Sequence, residues 1–184
     1  MKVYVEGNDQ LLFDFFEEEG YELVNSVLDA DLLCLEGGAD VCPEWYGEEN
    51  THSTSSPATD YYSFGLLHLA HKHLGIPVVG ICRGSQVMNV YNGGKMKQHI
   101  NGHAGPDHLV PYKGKDYVVS SAHHQESIPA DYVKEEDILR AYDGTVEGTI
   151  YRDKKMVGIQ SHPEYKKKGH DNRILFRELL KEVM

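Results

Sequence analysis

The sequence predicts an α/β fold with a mostly parallel central sheet and an antiparallel β extension. Two continuous apolar runs, ADLLCL at Ala30 to Leu35 and PVVGI at Pro77 to Ile81, read as strands buried on both faces. Between them, Phe64, Leu67, Leu69, Ala70 and Leu74 recur roughly at helical spacing over Asp60 to Leu74, and Gly75 stops the helix. Strand, helix, strand in that order implies a crossover connection and parallel pairing. The third observation is a change of pattern in the second half. There Tyr117 to Ser121, Ile138 to Tyr142, Glu147 to Arg152 and Met156 to Ser161 read as strands joined by short turns.

The remaining elements follow from the same signals. Lys2 to Glu6 alternates into a strand, and Asn8 or Asp9 is placed to cap a helix carrying Leu11, Leu12, Phe15 and Phe16 on one side. Tyr21 to Val24 is a weak second strand. Gly37 and Gly38 end the first buried run and open a long loop, from Glu36 to about Ala58, rich in Gly, Pro, Ser and Thr; a loop of that length is usually functional or mobile. Gly93-Gly94 ends a helix that starts after Ile81, and Asn172 to Val183 forms an amphipathic closing helix. With no internal repeat and no linker, residues 1–184 are expected to form one domain, long enough to bury roughly 70% of its unfolded surface.

The formal charge of −11 disfavours nucleic acid and anionic lipid, whose binding depends on Lys and Arg displacing counterions. The one basic cluster, Lys166 to Lys168, reads as a solvated loop. No apolar run approaches the roughly 20 residues that cross a bilayer. Three cysteines, an odd number, and an N-terminus without a signal-peptide core lead to the expectation of a reducing cytoplasm.

The chemistry is concentrated in GICRGSQVMNVYNGG, from Gly80 to Gly94, where a cysteine sits between two glycines directly after a buried strand. Gly-x-Cys-x-Gly between strand and helix has the spacing of a nucleophile elbow. It places Cys82 at the carboxyl end of the sheet, where the start of the next helix favours a thiolate. A free thiol is only a few per cent ionised at neutral pH, so a base is needed. In GIQSHPEY, His162 and Glu164 lie two apart at the end of an apolar strand, so alternation can aim both at one face. Glu164 would hold the imidazole while His162 takes the proton of Cys82 and passes it to a departing amine. Oxyanion donors are expected from the backbone N–H of Arg83 and from the Gly37-Gly38 loop.

Other residues carry weaker readings. Cys34 is expected to be a buried filler and Cys42 either that or a surface thiol. The 11 histidines include the groups His99, His103 and His108, and His68, His71 and His73, but the second lacks the i, i+4 spacing that shares a ligand on a helix, and no metal site is assigned. His123 and His124 face opposite ways in an extended segment. Trp45, Tyr46, Tyr61 and Tyr62 either wall the pocket or pack the long loop.

Four blocks together carry a family resemblance: GGADVCPEWYGE at Gly37 to Glu48, the elbow block, SAHHQ at Ser121 to Gln125, and GIQSHPE at Gly158 to Glu164. The chain resembles the class I glutamine amidotransferases, and within them the γ-glutamyl hydrolase branch that includes γ-glutamyl-γ-aminobutyrate hydrolases. The resemblance implies a flavodoxin-like three-layer sandwich. It also implies attack by Cys82 on a γ-glutamyl amide or glutamine, a glutamyl thioester, and no cofactor. Gln86 would contact the amino acid end of the substrate, with His123 and Gln125 on the other side; Gly37 would line the site and Gly38 its oxyanion hole. Where the hydrolase branch carries Arg-Asp and a Glu before the elbow, this chain has Thr59, Asp60, Tyr61, Tyr62 and Ser63. Its length is closer to that of glutaminase subunits that feed ammonia to a partner synthetase or ligase. Three functions therefore stand open: such a glutaminase, a free-standing γ-glutamyl-amine hydrolase, and a catalytically silent sensor or interaction module.

Overall fold

A computed structural model describes residues 1–167 and 169–184. Of the basic cluster, Lys168 lies outside the described residues. In chain order the elements are β1 (Lys2–Val5), α1 (Gln10–Glu18), β2 (Glu22–Leu23), β3 (Leu32–Leu35), α2 (Pro57–His68), β4 (Val78–Ile81) and α3 (Arg83–Tyr91). They continue with β5 (Lys95–Lys97), β6 (His108–Tyr112), β7 (Lys115–Val119), β8 (Glu126–Ile128), β9 (Ile138–Arg140), β10 (Val146–Tyr151), β11 (Met156–Ile159) and α4 (Asn172–Leu180).

Seven strands form the central sheet in the order β2-β1-β3-β4-β11-β10-β9. The first five run parallel, β10 adds antiparallel to β11, and β9 adds antiparallel to β10. The two-residue period sorts the core into two layers. Leu32 and Cys34 point to the side covered by α1 and α4, where Phe15 and Phe176 meet edge to face at 5.2 Å. Leu33 and Leu35 point to the other side, against Leu66, Leu67, Val87 and Met88 of α2 and α3. Helices on both faces explain why β3, β4 and β11 are buried at every position. Smaller antiparallel pairs, β6 with β7 and β5 with β8, lie outside this sheet.

The helix ends follow their capping residues. The Asp9 side chain accepts the Leu11 N–H at 2.8 Å to start α1. Leu12, Phe15 and Phe16 are buried on that helix, while Leu11, expected on the same face, is exposed. Helix α2 begins three residues before the expected Asp60, because Ser56 caps it and Pro57 occupies its first turn. Its last turn widens into a π-helical segment, Leu69–Leu74, closed by Gly75 at φ 65°. Trp45 of the long loop packs on Phe64 of α2 at 4.8 Å, and the hydroxyl of Tyr62, on α2, meets that of Tyr4 in β1 at 2.9 Å. No helix among the described residues is long and apolar enough to cross a membrane.

Candidate active site

Three neighbouring parallel strands deliver the site. In register, Ile81 of β4 lies beside Ile159 of β11, and Gly80 lies beside Leu35 of β3. Each strand therefore ends at the same rim, and the residues that follow are Gly37 and Gly38 after β3, Cys82 after β4, and Gln160, His162 and Glu164 after β11. The Cys82 N–H donates to the Ile159 carbonyl at 2.8 Å, which extends the β4–β11 ladder one residue into the corner.

At that corner Cys82 adopts φ 51°, ψ −109°, a region that non-glycine residues avoid and that stores strain at functional positions. The flanking glycines are required by close approach. A Cβ on Gly80 would lie 2.5 Å from the backbone of Gly84, and a Cβ on Gly84 would lie 2.3 Å from the carbonyl oxygen of Leu35. No side chain fits at either position without moving backbone, so the turn can be this tight only with Gly-x-Cys-x-Gly.

Cys82 is half-buried, unlike Cys34 and Cys42, which are buried. The thiol has two polar neighbours. The Gln160 amide donates to its sulfur at 3.4 Å, and the His162 ring faces it. On its far side the His162 Nδ1 meets Glu164 Oε1 at 2.5 Å, both side chains being buried. Burial works against a charge on this imidazole, but its interactions with Cys82 and Glu164 prevail and push it up to about 10. The ring is also held by Tyr165, stacked parallel to it with centroids 4.4 Å apart. A methyl group at Gly37 would stand 3.4 Å from His162 Cε1 and 3.7 Å from Cys82 Cβ, so this residue lies directly over the thiol and imidazole.

The expected oxyanion residues are tied to each other through side chains. The Arg83 guanidinium is buried and pairs with Asp60 at 2.6 Å, and its other terminal nitrogen donates to Ser63 Oγ at 3.1 Å. The second oxygen of Asp60 accepts the Cys42 N–H at 2.8 Å, in the loop that carries Gly37 and Gly38. Ser63 in turn donates to Glu6, whose carboxyl is raised above its ordinary range by burial. The Arg83 backbone N–H is the first of α3 and has no partner within the helix. A Cβ on Gly38 would sit 3.2 Å from Arg83 Cδ, so the Arg83 side chain passes close to this glycine.

The expected substrate contacts are placed less uniformly. Gln86 is buried and donates to Gln160 at 3.2 Å, one residue removed from the thiol. Gln125 is fully buried and donates to Ser53 Oγ at 2.8 Å. His123 donates from Nδ1 to the Gln125 carbonyl at 2.9 Å and turns Nε2 toward Glu147 at 3.4 Å, in a cluster with His103 and His108. Spacing along the chain offers no shared ligand set on a helix, but the fold joins His103 and His108 to His123 and Glu147 from separate strands and loops. Sequence reasoning also missed Gln160, Tyr165 and the pairing of Asp60 with Arg83. Gln160 and Tyr165 adjoin the His-Pro-Glu block, which was the signal available for them.

A cleft of about 430 Å³ lies beside Glu164 and Tyr165, lined also by Leu11, Ser121, Lys167 and His170. It runs along the back of the Glu164 segment, and Cys82 does not line it.

Comparison with known proteins bears on this geometry. The Peptidase C26 family model matches residues 15–125, a span that contains Cys82 and ends before His162. A glutamine amidotransferase-like protein of Lactococcus lactis, YvdE, is 27% identical over 84% of this chain and 79% of its own length. The carbamoyl phosphate synthase small chain of Methanocaldococcus jannaschii is 33% identical over 58% of this chain, which spans 31% of that protein. A glutamine amidotransferase structure from Thermotoga maritima superposes with a TM-score of 0.71 at 19% identity, covering 100% of this chain and 90% of that one.

Proposed function

The chain belongs to the Peptidase C26 family, and on that premise we propose that it is a cysteine hydrolase that cleaves the C–N bond of a γ-glutamyl amide. The observation that carries this reading is the meeting of Cys82, His162 and Glu164 at one rim of the sheet, with Cys82 held at a strained φ of 51°. His162, held in its charged form by Cys82 and Glu164, carries the proton given up by the thiol, and the sulfur adds to the γ-carbonyl carbon. Negative charge collects on the carbonyl oxygen, toward the backbone N–H groups of Gly38 and Arg83. As the tetrahedral species collapses, the imidazolium gives its proton to the departing nitrogen, leaving a glutamyl thioester and free ammonia or amine. A water then gives its proton to His162 and attacks the thioester, releasing glutamate and restoring the thiol. Glu164 fixes the ring and offsets its charge in both half-reactions.

For the destination of the nitrogen, the favoured reading is a glutaminase that supplies ammonia to a partner synthetase or ligase. It is supported by the similarity to a carbamoyl phosphate synthase small chain. The Peptidase C26 match favours the second reading, a free-standing hydrolase of γ-glutamyl amines. The test is glutamate release from glutamine and from γ-glutamylputrescine by the wild type and by Cys82→Ala. Loss of release to background in the variant supports the thiol mechanism, and equal rates overturn it. Turnover of γ-glutamylputrescine by the protein alone selects the free-standing hydrolase. Glutamine turnover that rises on adding a candidate synthetase selects the ammonia supplier.

A further inference from the structure

We propose that this chain binds a divalent transition-metal ion of the zinc type through His103, His108, His123 and Glu147. One ligand atom from each side chain lies within 4.8 Å of all the others. His103 Nδ1 and His123 Nε2 each stand 3.4 Å from Glu147 Oε1, and His108 Nε2 stands 4.0 Å from it. Four ligands held about 2.0–2.1 Å from a tetrahedral zinc ion would be separated from one another by about 3.3 Å, so the two shorter spacings to Glu147 already match and the wider ones close as the four side chains draw in on the ion.

The polar atoms facing the centre have no other use. His103 Nδ1, His108 Nε2, His123 Nε2 and both Glu147 carboxylate oxygens are buried and make no hydrogen bond. His103 and His123 are each 3% exposed and Glu147 is 4% exposed. Leaving that many polar atoms unpaired in the interior is costly, and a cation satisfies them together. The outward nitrogens are already engaged in the manner of metal-ligating histidines. His103 Nε2–H donates to Asp143 at 2.9 Å and His123 Nδ1–H donates to the Gln125 carbonyl at 2.9 Å. Each bond fixes the tautomer that directs a lone pair at the centre.

With four protein ligands and little exposure, the site is of the closed, structural kind. It fastens the loop before β6, the β6 strand, the segment after β7, and β10. The first and third are already joined where the His123 N–H donates to the His103 carbonyl at 3.0 Å. The proposal rests on none of the catalytic assignments.

The test uses the full chain in its Cys82→Ala form, so that no catalytic thiolate competes, stripped with EDTA and titrated with Co²⁺ and then Zn²⁺. The expected result is one equivalent of Co²⁺ with the visible absorption bands of a tetrahedral site, bleached by Zn²⁺, and a melting temperature that rises on loading. Glu147→Gln and His108→Gln should abolish the bands. Asp143 is 57% exposed, so Asp143→Asn leaves the interior packing alone and should weaken binding by about 10–100-fold through loss of the His103 partner. His99→Gln, on an exposed histidine outside the cluster, should bind as before. Folded protein, verified by circular dichroism, that takes up no stoichiometric Co²⁺ overturns the proposal. So does binding that Glu147→Gln and Asp143→Asn leave unchanged.

Discussion

Replacing Asp60 with Asn tests whether the buried ion pair supports the elbow. The Arg83 and Asp60 side chains are 3% and 0% exposed and 2.6 Å apart, so the substitution removes the carboxylate in direct contact with this interior guanidinium, leaving only the indirect link to Glu6 through Ser63. Breaking such a pair from one side costs about 3–5 kcal/mol. For a domain of this size each kcal/mol moves the melting temperature by about 2–4 °C, so a fall of about 6–20 °C is expected. Because Asp60 also accepts the Cys42 N–H and Arg83 begins α3, kcat/KM should fall with stability. The assay is a double-mutant cycle by urea denaturation with Asp60→Leu, Arg83→Met and the pair. Removing both charges should recover much of the loss, since an apolar replacement of a buried pair is often neutral or stabilising. Asp60→Asn within about 1 kcal/mol of wild type, or additive single losses in the cycle, would refute the reasoning.

Three further outcomes follow from the site. Glu164→Gln should lower kcat by about 10²–10⁴-fold with little change in KM, because the carboxylate touches the base and not the substrate; an unchanged kcat would remove it from the triad. His162 is held at about 10 against an ordinary value of 6.5, so its contribution to stability is complete below about pH 6.5 and is lost as pH rises toward 10. The gap in melting temperature between wild type and His162→Gln should therefore narrow from pH 6 to 10, and a constant gap would contradict the shift. Finally, at φ 51° glycine relieves the backbone where alanine does not, so Cys82→Gly should exceed Cys82→Ala in stability by about 1 kcal/mol in chemical denaturation, both being inactive. Equal stabilities would mean that the corner is not strained.

What could be read from the sequence was whatever local sterics encode. The elbow is an example: Gly80 and Gly84 are glycine because backbone approaches both positions, and that constraint is written within a few residues of the thiol. The strands within ADLLCL and PVVGI, Leu32–Leu35 and Val78–Ile81, were plain because burial on both faces leaves them no polar positions. Strands β5, β6 and β8 went unread, being short, partly exposed or, in β6, interrupted by Pro111. The Asp60–Arg83 pair and the joining of His103 and His108 to His123 and Glu147 were also beyond reach. Their members come together only because of strand order, and no spacing along the chain records that β11 inserts between β4 and β10.

The same strand order separates the two tasks of a hydrolase of this kind. Thiol, imidazole and carboxylate follow strands in the middle of a seven-stranded sheet, hydrogen-bonded on both sides, so their geometry is fixed by the ladder. The long loop that follows Gly38 is instead held by glutamines. Gln98 accepts the Thr51 N–H at 2.9 Å and donates to the Glu49 carbonyl at 2.8 Å, and Gln125 reaches Ser53 from the other side. The loop that follows Gly38 is thereby tied to the segments around Gln98 and His123, outside the parallel sheet. On the proposed function, substitutions in these loops would change the leaving group accepted without moving Cys82 or His162, whose ladder does not pass through them. On that reading the chemistry is set by the sheet and the choice of amine by the loops, which is why the sequence points to the thiol and its base more sharply than to a leaving group.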